Sequence, residues 1–119
     1  MDIENIKNKL KDFSKERNWD KYHTPKNLAM ALSVEASELV EIFQWLNDKE
    51  SDNLNSEDLQ SVKEEISDIL IYLIRIADKL EINIEESLIE KLKINEQKYP
   101  IDLSKNNAVK YNKRKIVNE

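Results

Sequence analysis

The chain has 119 residues, enough for one domain with a sizeable core, and no cysteine for disulfides or thiolate metal sites. Its net charge of −5 argues against binding of nucleic-acid polymers. Glycine is absent, which excludes the glycine-rich loops that hold phosphate in Walker and dinucleotide-binding proteins. Any nucleotide must therefore be held by side chains or by a metal ion.

The sequence has no segment with the composition of a membrane span or a secretion signal. Its apolar runs are all shorter than the ~20 residues that a spanning helix needs. The first ten residues are polar and amphipathic, unlike a signal peptide. We therefore expect a soluble, cytoplasmic protein without a membrane partner.

Two helices are predicted in the first half of the chain. Apolar residues at spacings of three and four predict a helix over residues 2–18. Thr24 and Pro25 form a helix start, because a capping hydroxyl precedes a proline at the first helical position. We expect this second helix to run to Asn47, followed by a polar connection.

The third helix is predicted to begin at the capping residue Ser56 and to extend to about Leu80. Apolar residues cover most of its circumference, as is typical of a helix that is buried on several sides. They are Ile66, Ile69, Leu70, Leu73, Ile74, Ile76 and Ala77. One small four-helix bundle cannot cover them alone, so we predict a homo-oligomer, either a dimer or a dimer-of-dimers tetramer.

The fourth helix is predicted over about residues 84–98. Asn83, followed three residues later by Glu86, has the spacing of a capping box, and a proline after the helix ends it. The predicted organisation is a helical domain over residues 1–100 and an irregular basic tail over residues 101–119.

Two pairs of acidic residues fall on apolar faces of the second and third helices. At 100° per residue, Glu35 and Glu38 lie within an apolar stripe, and Glu65 and Asp68 repeat the same spacing. Like charges ~4 Å apart repel by roughly 4 kcal/mol at an effective dielectric constant near 20. An ordinary solvated helix face does not explain this placement, so the pattern indicates a cation site.

The residue types narrow the choice of cation. Zinc prefers Cys or His, and the one histidine, His23, lies in a connection outside the acidic helices. A ferritin-like di-iron site needs a Glu-x-x-His on each of two helices, and neither acidic helix contains a histidine, so this site is excluded. Oxygen ligands suit Mg²⁺, with Mn²⁺ as the alternative. Because Mg²⁺ usually shares its coordination shell with substrate phosphates, the pattern indicates phosphate chemistry.

Three segments carry a resemblance to a known family: EASELVEIFQW, EEISDILIYLIRIADKL and KLKINEQKYP. Together they resemble the all-α nucleoside triphosphate pyrophosphohydrolases of the MazG-like superfamily, and especially its dCTP pyrophosphatase branch. The resemblance implies a helical domain that uses Mg²⁺ to hydrolyse a nucleoside triphosphate to the monophosphate and diphosphate. The family's metal ligands and catalytic carboxylates match Glu35, Glu38, Glu65 and Asp68.

The same resemblance implies a set of substrate-binding residues. Lysines of the fourth helix would meet the phosphates, its asparagine would bond the base or sugar, and aromatic residues would form a base pocket. The candidates are Trp19, His23, Asn27, Trp45, Tyr72, Lys91, Asn95, Lys98 and Tyr99. From spacing alone, an exposed face explains the lysines better, and core packing explains the tryptophans equally well.

The function expected from these observations is hydrolysis of dCTP-like or noncanonical pyrimidine nucleotides, a role in nucleotide-pool sanitation. A dUTP-directed or broad-specificity relative is the first alternative. A helical module that senses nucleotides without hydrolysing them is the second. Spacing does not fix where the asparagine, the histidine and the tryptophans meet, so base preference stays open.

Overall fold

The computed structural model describes residues 1–105 and residue 108, and within this part of the chain the regular structure is entirely helical. The helices are α1 (Ile3–Glu16), α2 (Pro25–Phe43), α3 (Asp48–Ser51), α4 (Ser56–Lys79), α5 (Ile84–Lys98) and α6 (Ile101–Ser104). A short 3-10 helix, Asp20–Tyr22, lies between α1 and α2. The all-α prediction is confirmed by the four long helices.

The tail that was expected to be irregular begins with helical residues. Ile101–Ser104 form α6, directly after the capping residue Pro100. The other predicted tail residues, apart from Lys105 and Ala108, lie outside the described part of the chain.

The prediction that the second helix runs to Asn47 is wrong, because α2 ends at Phe43. Asn47 instead caps α3: its side-chain oxygen accepts a bond from the Glu50 N–H at 2.8 Å, and the Glu50 carboxylate accepts one from the Asn47 N–H at 3.0 Å. This reciprocal capping box starts a new helical turn inside the predicted polar connection. Asn55, rather than Ser56, caps α4, and its side-chain oxygen accepts a bond from the Asp58 N–H at 2.7 Å.

Both α1 and α4 end in a Schellman motif without glycine. Asn18 and Glu81 take the left-handed conformation, each with φ 56°. The Trp19 N–H donates back to the carbonyl of Ser14 at 2.9 Å, and the Ile82 N–H makes the equivalent bond at 2.8 Å. These bonds satisfy helix-end carbonyls, and the first one directs the chain from α1 into the 3-10 helix.

The core is centred on α4, which contacts both α2 and α1. Leu28 of α2 and Ile74 and Ala77 of α4 are buried, and Ser14 of α1 is also buried. Burying a side chain such as Leu28 or Ile74 contributes roughly 1.5–3 kcal/mol. This packing holds the acidic stripes of α2 and α4 at a fixed distance from each other.

The chain divides into two compact units, Met1–Ile82 and Asn83–Glu119. The first contains α1 to α4, and the second contains α5 and α6. The predicted division at residue 100 stays a prediction. Among the described residues, none of the helices combines the length and apolar character that crossing a bilayer requires.

The single chain leaves part of α4 uncovered. Ile66 is 53% exposed and Leu73 is also exposed, although both belong to the apolar surface that was expected to be covered. This exposure fits the predicted homo-oligomer, which stays a prediction.

Candidate metal centre

The packing of α2 against α4 brings three of the four predicted ligands together. One carboxylate oxygen from each of Glu35, Glu38 and Glu65 lies within 4.8 Å of the other two. The Oε2 atoms of Glu35 and Glu65 are buried and have no hydrogen-bond partner. An unsatisfied buried carboxylate oxygen is costly, and an oxygen-only donor set suits Mg²⁺ or Mn²⁺. We call these three glutamates the metal centre.

The electrostatics of the metal centre support the same interpretation. The pKa of Glu65 is raised to about 7. The main cause is a hydrogen bond that its protonated form makes with Glu35, followed by burial and by the negative charges of Glu35 and Glu38. Without a cation, the cluster therefore keeps a proton near neutral pH, and a bound cation could take its place.

The fourth predicted ligand, Asp68, lies outside the group of three. It is half-buried on α4, one turn after Glu65. The pKa of Tyr72 is raised, first by burial and then by the negative charges of Glu35 and Asp68. Asp68 and Tyr72 are thus electrostatic neighbours of the metal centre, and their roles as ligand and substrate contact stay predictions.

His23 lies in a second polar cluster, which we call the arginine network and define as Ser14, Asp20, His23 and Arg75. The Ser14 hydroxyl donates to Asp20 Oδ1 at 2.8 Å and lies 3.2 Å from His23 Nδ1. Arg75 Nη2 donates to the same Asp20 oxygen at 3.3 Å. Arg75 is only 4% exposed, and it also pairs with Asp78 at 3.5 Å. The network therefore joins α4 to the segment that precedes α2.

The remaining residues of the predicted base pocket have different surroundings. Trp19 makes edge-to-face contacts with Phe13 at 5.7 Å and with His23 at 6.1 Å. Asn27 uses its side-chain amide to bond the carbonyl of Tyr22 at 2.9 Å, which ties the 3-10 helix to α2. Trp45 follows the end of α2 and is 86% exposed, so a core role within this chain is excluded for it.

The last four candidates belong to the second unit. Lys91, Asn95 and Lys98 lie on α5, and Tyr99 caps that helix by donating its N–H to the carbonyl of Asn95 at 2.8 Å. Asn95 and Lys98 are half-buried, and Lys91 is exposed. Their contacts with a substrate stay predictions.

Comparison with known proteins identifies the family. The model of the MazG-like family matches residues 30–113, a stretch that contains Glu35, Glu38, Glu65 and Asp68. The chain belongs to the MazG-like family. It is 37% identical over 111 residues to dCTP pyrophosphatase 1 of Rattus norvegicus and 34% identical to that of Homo sapiens. Both matches cover 92% of this MazG-like chain, which spans 65% of the length of each relative.

A solved structure agrees with this MazG-like assignment. A pyrophosphatase from Archaeoglobus fulgidus superimposes with a TM-score of 0.79 at 44% sequence identity. The match covers 84% of this chain and 94% of that structure. The resemblance noted in the sequence is thereby confirmed.

One residue of the MazG-like chain that sequence reasoning missed is Arg75. Its signal was its position: with Glu65, Asp68 and Tyr72 it continues one helical stripe at spacings of three, four and three. A cation on the same stripe as two acids and a tyrosine is itself an unusual placement, and the structure shows it buried against Asp20.

Proposed function

We propose that this MazG-like chain is a Mg²⁺-dependent nucleoside triphosphate pyrophosphohydrolase, with Mn²⁺ as an alternative ion. It converts a (deoxy)nucleoside triphosphate and water to the monophosphate and diphosphate. The observation that carries this proposal is the metal centre, where Glu35 and Glu65 each have a buried oxygen without a partner. The names of the relatives, dCTP pyrophosphatase and pyrophosphatase, support it.

Glu35, Glu38, Glu65 and Asp68 hold the cation in this proposal. When bound, Mg²⁺ neutralises triphosphate charge and lowers the pKa of a coordinated water. One of the four carboxylates accepts the proton of the attacking water, the new bond forms at the α-phosphorus, and diphosphate leaves with its electron pair. In-line displacement depends mainly on positioning, and α2 and α4 supply it because they pack against each other.

The proposed substrates are dCTP-like or noncanonical pyrimidine nucleotides, and the role is sanitation of the nucleotide pool. Trp19, His23, Asn27, Trp45 and Tyr72 recognise the nucleoside, while Lys91, Asn95, Lys98 and Tyr99 contact the phosphates, sugar or base. The exposed indole of Trp45 supports a stacking role. A dUTP-directed or broad-specificity enzyme has the same metal centre, and a nucleotide sensor would bind without releasing product.

Diphosphate release from a panel of nucleoside triphosphates tests this function directly. We expect release with Mg²⁺ and none with EDTA, and the fastest pyrimidine substrate decides between the dCTP-like and dUTP-directed alternatives. Nucleotide binding without release would favour the sensor. If folded protein with Mg²⁺ neither binds nor hydrolyses any nucleotide in the panel, the proposal fails.

Comparing Glu38→Gln with a matched control distinguishes a specific role of the metal centre from a general effect of negative charge on α2. Glu41 lies on the same helix and is exposed outside the metal centre. We expect Glu38→Gln to abolish turnover and Glu41→Gln to retain it, with equal helicity by far-UV circular dichroism. Loss of helicity in Glu38→Gln would assign this carboxylate to the fold.

The proposed homo-oligomer is tested by sedimentation. The exposed Ile66 and Leu73 of α4 support an interface between copies of the chain. We expect a dimer or a dimer-of-dimers tetramer at micromolar concentration. A single species at the 14.1 kDa mass of the monomer would contradict it.

A further inference from the structure

Arg75 lies at the C-terminal end of the α4 stripe that begins with Glu65. Ten residues separate the two, which is about 15 Å along a helix. At 4% exposure, Arg75 is a buried charge, and such a charge must be paired. Its partner across the fold is Asp20, 55 residues away in sequence. Arg75 therefore fixes the first residue of the 3-10 helix Asp20–Tyr22, which His23 follows directly.

The bonds around Ser14 determine where the proton of the His23 ring lies. Asp20 Oδ1 accepts bonds from both Ser14 and Arg75, and a carboxylate has no hydrogen to donate. Ser14 has one hydroxyl hydrogen, which it donates to Asp20. Its oxygen can therefore only accept a hydrogen from His23 Nδ1, which lies 3.2 Å away.

The charged groups around His23 favour the neutral ring. The pKa of His23 is lowered, first by burial and then by the positive charge of Arg75, with Lys79 acting in the same direction and Asp20 opposing them. The pKa of Asp20 is lowered mainly by the bond from Ser14, so its carboxylate is ionised at neutral pH. A neutral ring with its hydrogen on Nδ1 has a lone pair on Nε2.

The Nε2 atom is available to a ligand. It makes no hydrogen bond among the described residues, and it is not one of the buried side-chain atoms without a partner. Its ring meets Trp19, a candidate for the base pocket, edge to face.

We propose that Ser14, Asp20 and Arg75 are positioning residues that hold His23 as the Nδ1–H tautomer, so that Nε2 accepts a hydrogen bond from a donor group of the bound ligand. The nature of that ligand rests on the proposed function, whereas the tautomer does not. In a pyrimidine nucleotide, the donor is the exocyclic amino group of the base or a hydroxyl of the sugar.

The tautomer is measured by long-range ¹⁵N–¹H spectroscopy of the ligand-free protein, and assignment is direct because the chain has one histidine. We expect a protonated Nδ1 and an unprotonated Nε2 near pH 7.5. Ser14→Ala removes the acceptor and shifts the ring towards the Nε2–H tautomer. Ser33→Ala, an exposed serine of α2, leaves the spectrum unchanged.

Three further variants keep the test independent of any packing defect at the buried Ser14. Asp20→Asn supplies a donor in place of a pure acceptor, so Ser14 can donate to Nδ1 and the Nε2–H form gains population. Arg75→Lys keeps a cation beside Asp20 and retains the wild-type tautomer, whereas Arg75→Met removes the bond that holds Asp20 against Ser14, so the population of that tautomer falls. An Nε2–H ring in the wild-type protein, or a tautomer unchanged in both Ser14→Ala and Asp20→Asn, would overturn the proposal whether or not the chain hydrolyses nucleotides.

Substrate pairs identify the donor group. We compare kcat/KM for dCTP with dUTP, which lacks the amino group, and for dCTP with 2′,3′-dideoxy-CTP, which lacks the sugar hydroxyl. Loss of one neutral hydrogen bond predicts that Ser14→Ala reduces one of these two preferences by about 3- to 10-fold, mainly through KM. The kcat/KM preference that decreases identifies the donor group. If the tautomer shifts and neither preference changes, His23 is not the acceptor for the ligand.

Discussion

Two charged clusters lie in the first unit, and they differ in how their charges are balanced. In the arginine network, the charge of Arg75 is paired with that of Asp20, although Arg75 Nε is buried without a hydrogen-bond partner. In the metal centre, three carboxylates converge, and none of the ion pairs within the described residues includes them. A paired cluster is stabilised by its own opposite charges, whereas like charges that converge repel one another unless a proton or a cation lies between them.

The largest expected effect is the loss of diphosphate release when a glutamate of the metal centre is replaced. Glu65→Gln removes one ligand charge and should reduce diphosphate release on the order of 100-fold or more, because even residues that only support a ligand contribute 10- to 100-fold. The exposed neighbour Glu64 provides the control, since Glu64→Gln should retain activity. Comparable activity in the two variants would show that Glu65 is not a ligand.

The balanced cluster should be more important for stability. Arg75→Met leaves Asp20 and Asp78 without their cation, and breaking a buried pair costs about 3–5 kcal/mol. Because Asp20 is half-exposed, we expect a loss of about 2–3 kcal/mol in the free energy of unfolding. Urea denaturation measures it, with Lys63→Met on the exposed face of α4 as control. A loss no larger than that of Lys63→Met would show that the pair contributes nothing.

The two clusters should respond to pH with opposite signs. In metal-free protein, the Glu65 pKa of about 7 lies above its ordinary value of 4.5, so the folded state binds the extra proton between these values and stability falls as pH rises. The lowered pKa of His23 means that the unfolded state binds more protons between the folded-state pKa and the ordinary value of 6.5, so stability rises with pH across that interval.

Urea midpoints between pH 4.5 and 7.5, in EDTA, separate these contributions. Glu65→Gln should remove the fall in stability, and His23→Gln should remove the opposing rise. Added Mg²⁺ should restore stability at pH 7.5 in the wild-type protein, because it binds the ionised carboxylates. A midpoint that is insensitive to both Mg²⁺ and Glu65→Gln would contradict the pH coupling of the metal centre.

The smallest predicted effect lies outside both clusters, where α4 ends. Glu81 has φ 56°, a conformation that glycine adopts without steric cost. We expect Glu81→Gly to increase the free energy of unfolding by about 0.5–1 kcal/mol. Glu85→Gly, in the first turn of α5, should instead lower it by a similar amount, since glycine destabilises a helix. The same urea titration checks both, and a destabilised Glu81→Gly would show that the side chain has another role.

The convergence of three glutamates was predictable from sequence because its information is local, and their role as metal ligands stays a prediction. The positions of Glu35 and Glu38 on α2, and of Glu65 on α4, follow from helical periodicity among apolar neighbours. The pairing of Arg75 with Asp20 was not predictable, because the two residues meet only when α4 packs beside the 3-10 helix. Periodicity places a residue on a face but does not name its partner.

The end of α2 was mispredicted for a different reason. Several residues after Phe43 are compatible with helix, and the outcome was decided by Asn47, which forms a capping box with Glu50 and starts α3. The residues after Phe43 are compatible with continuation of α2, whereas the capping box favours a new helix start, and the structure has the new start. The position of Trp45 on an exposed turn follows from that competition.

The exposure of Trp45 gives the molecule an optical property. Its indole is solvated, whereas Trp19 contacts Phe13 and His23, so the two fluorophores report on different surroundings. A nucleotide or a second copy of the chain that covers Trp45 would shift its emission to shorter wavelengths. Trp19 would instead respond to the ionisation of its histidine neighbour. With either indole replaced by Phe, the other becomes a label-free reporter, one at each end of α2.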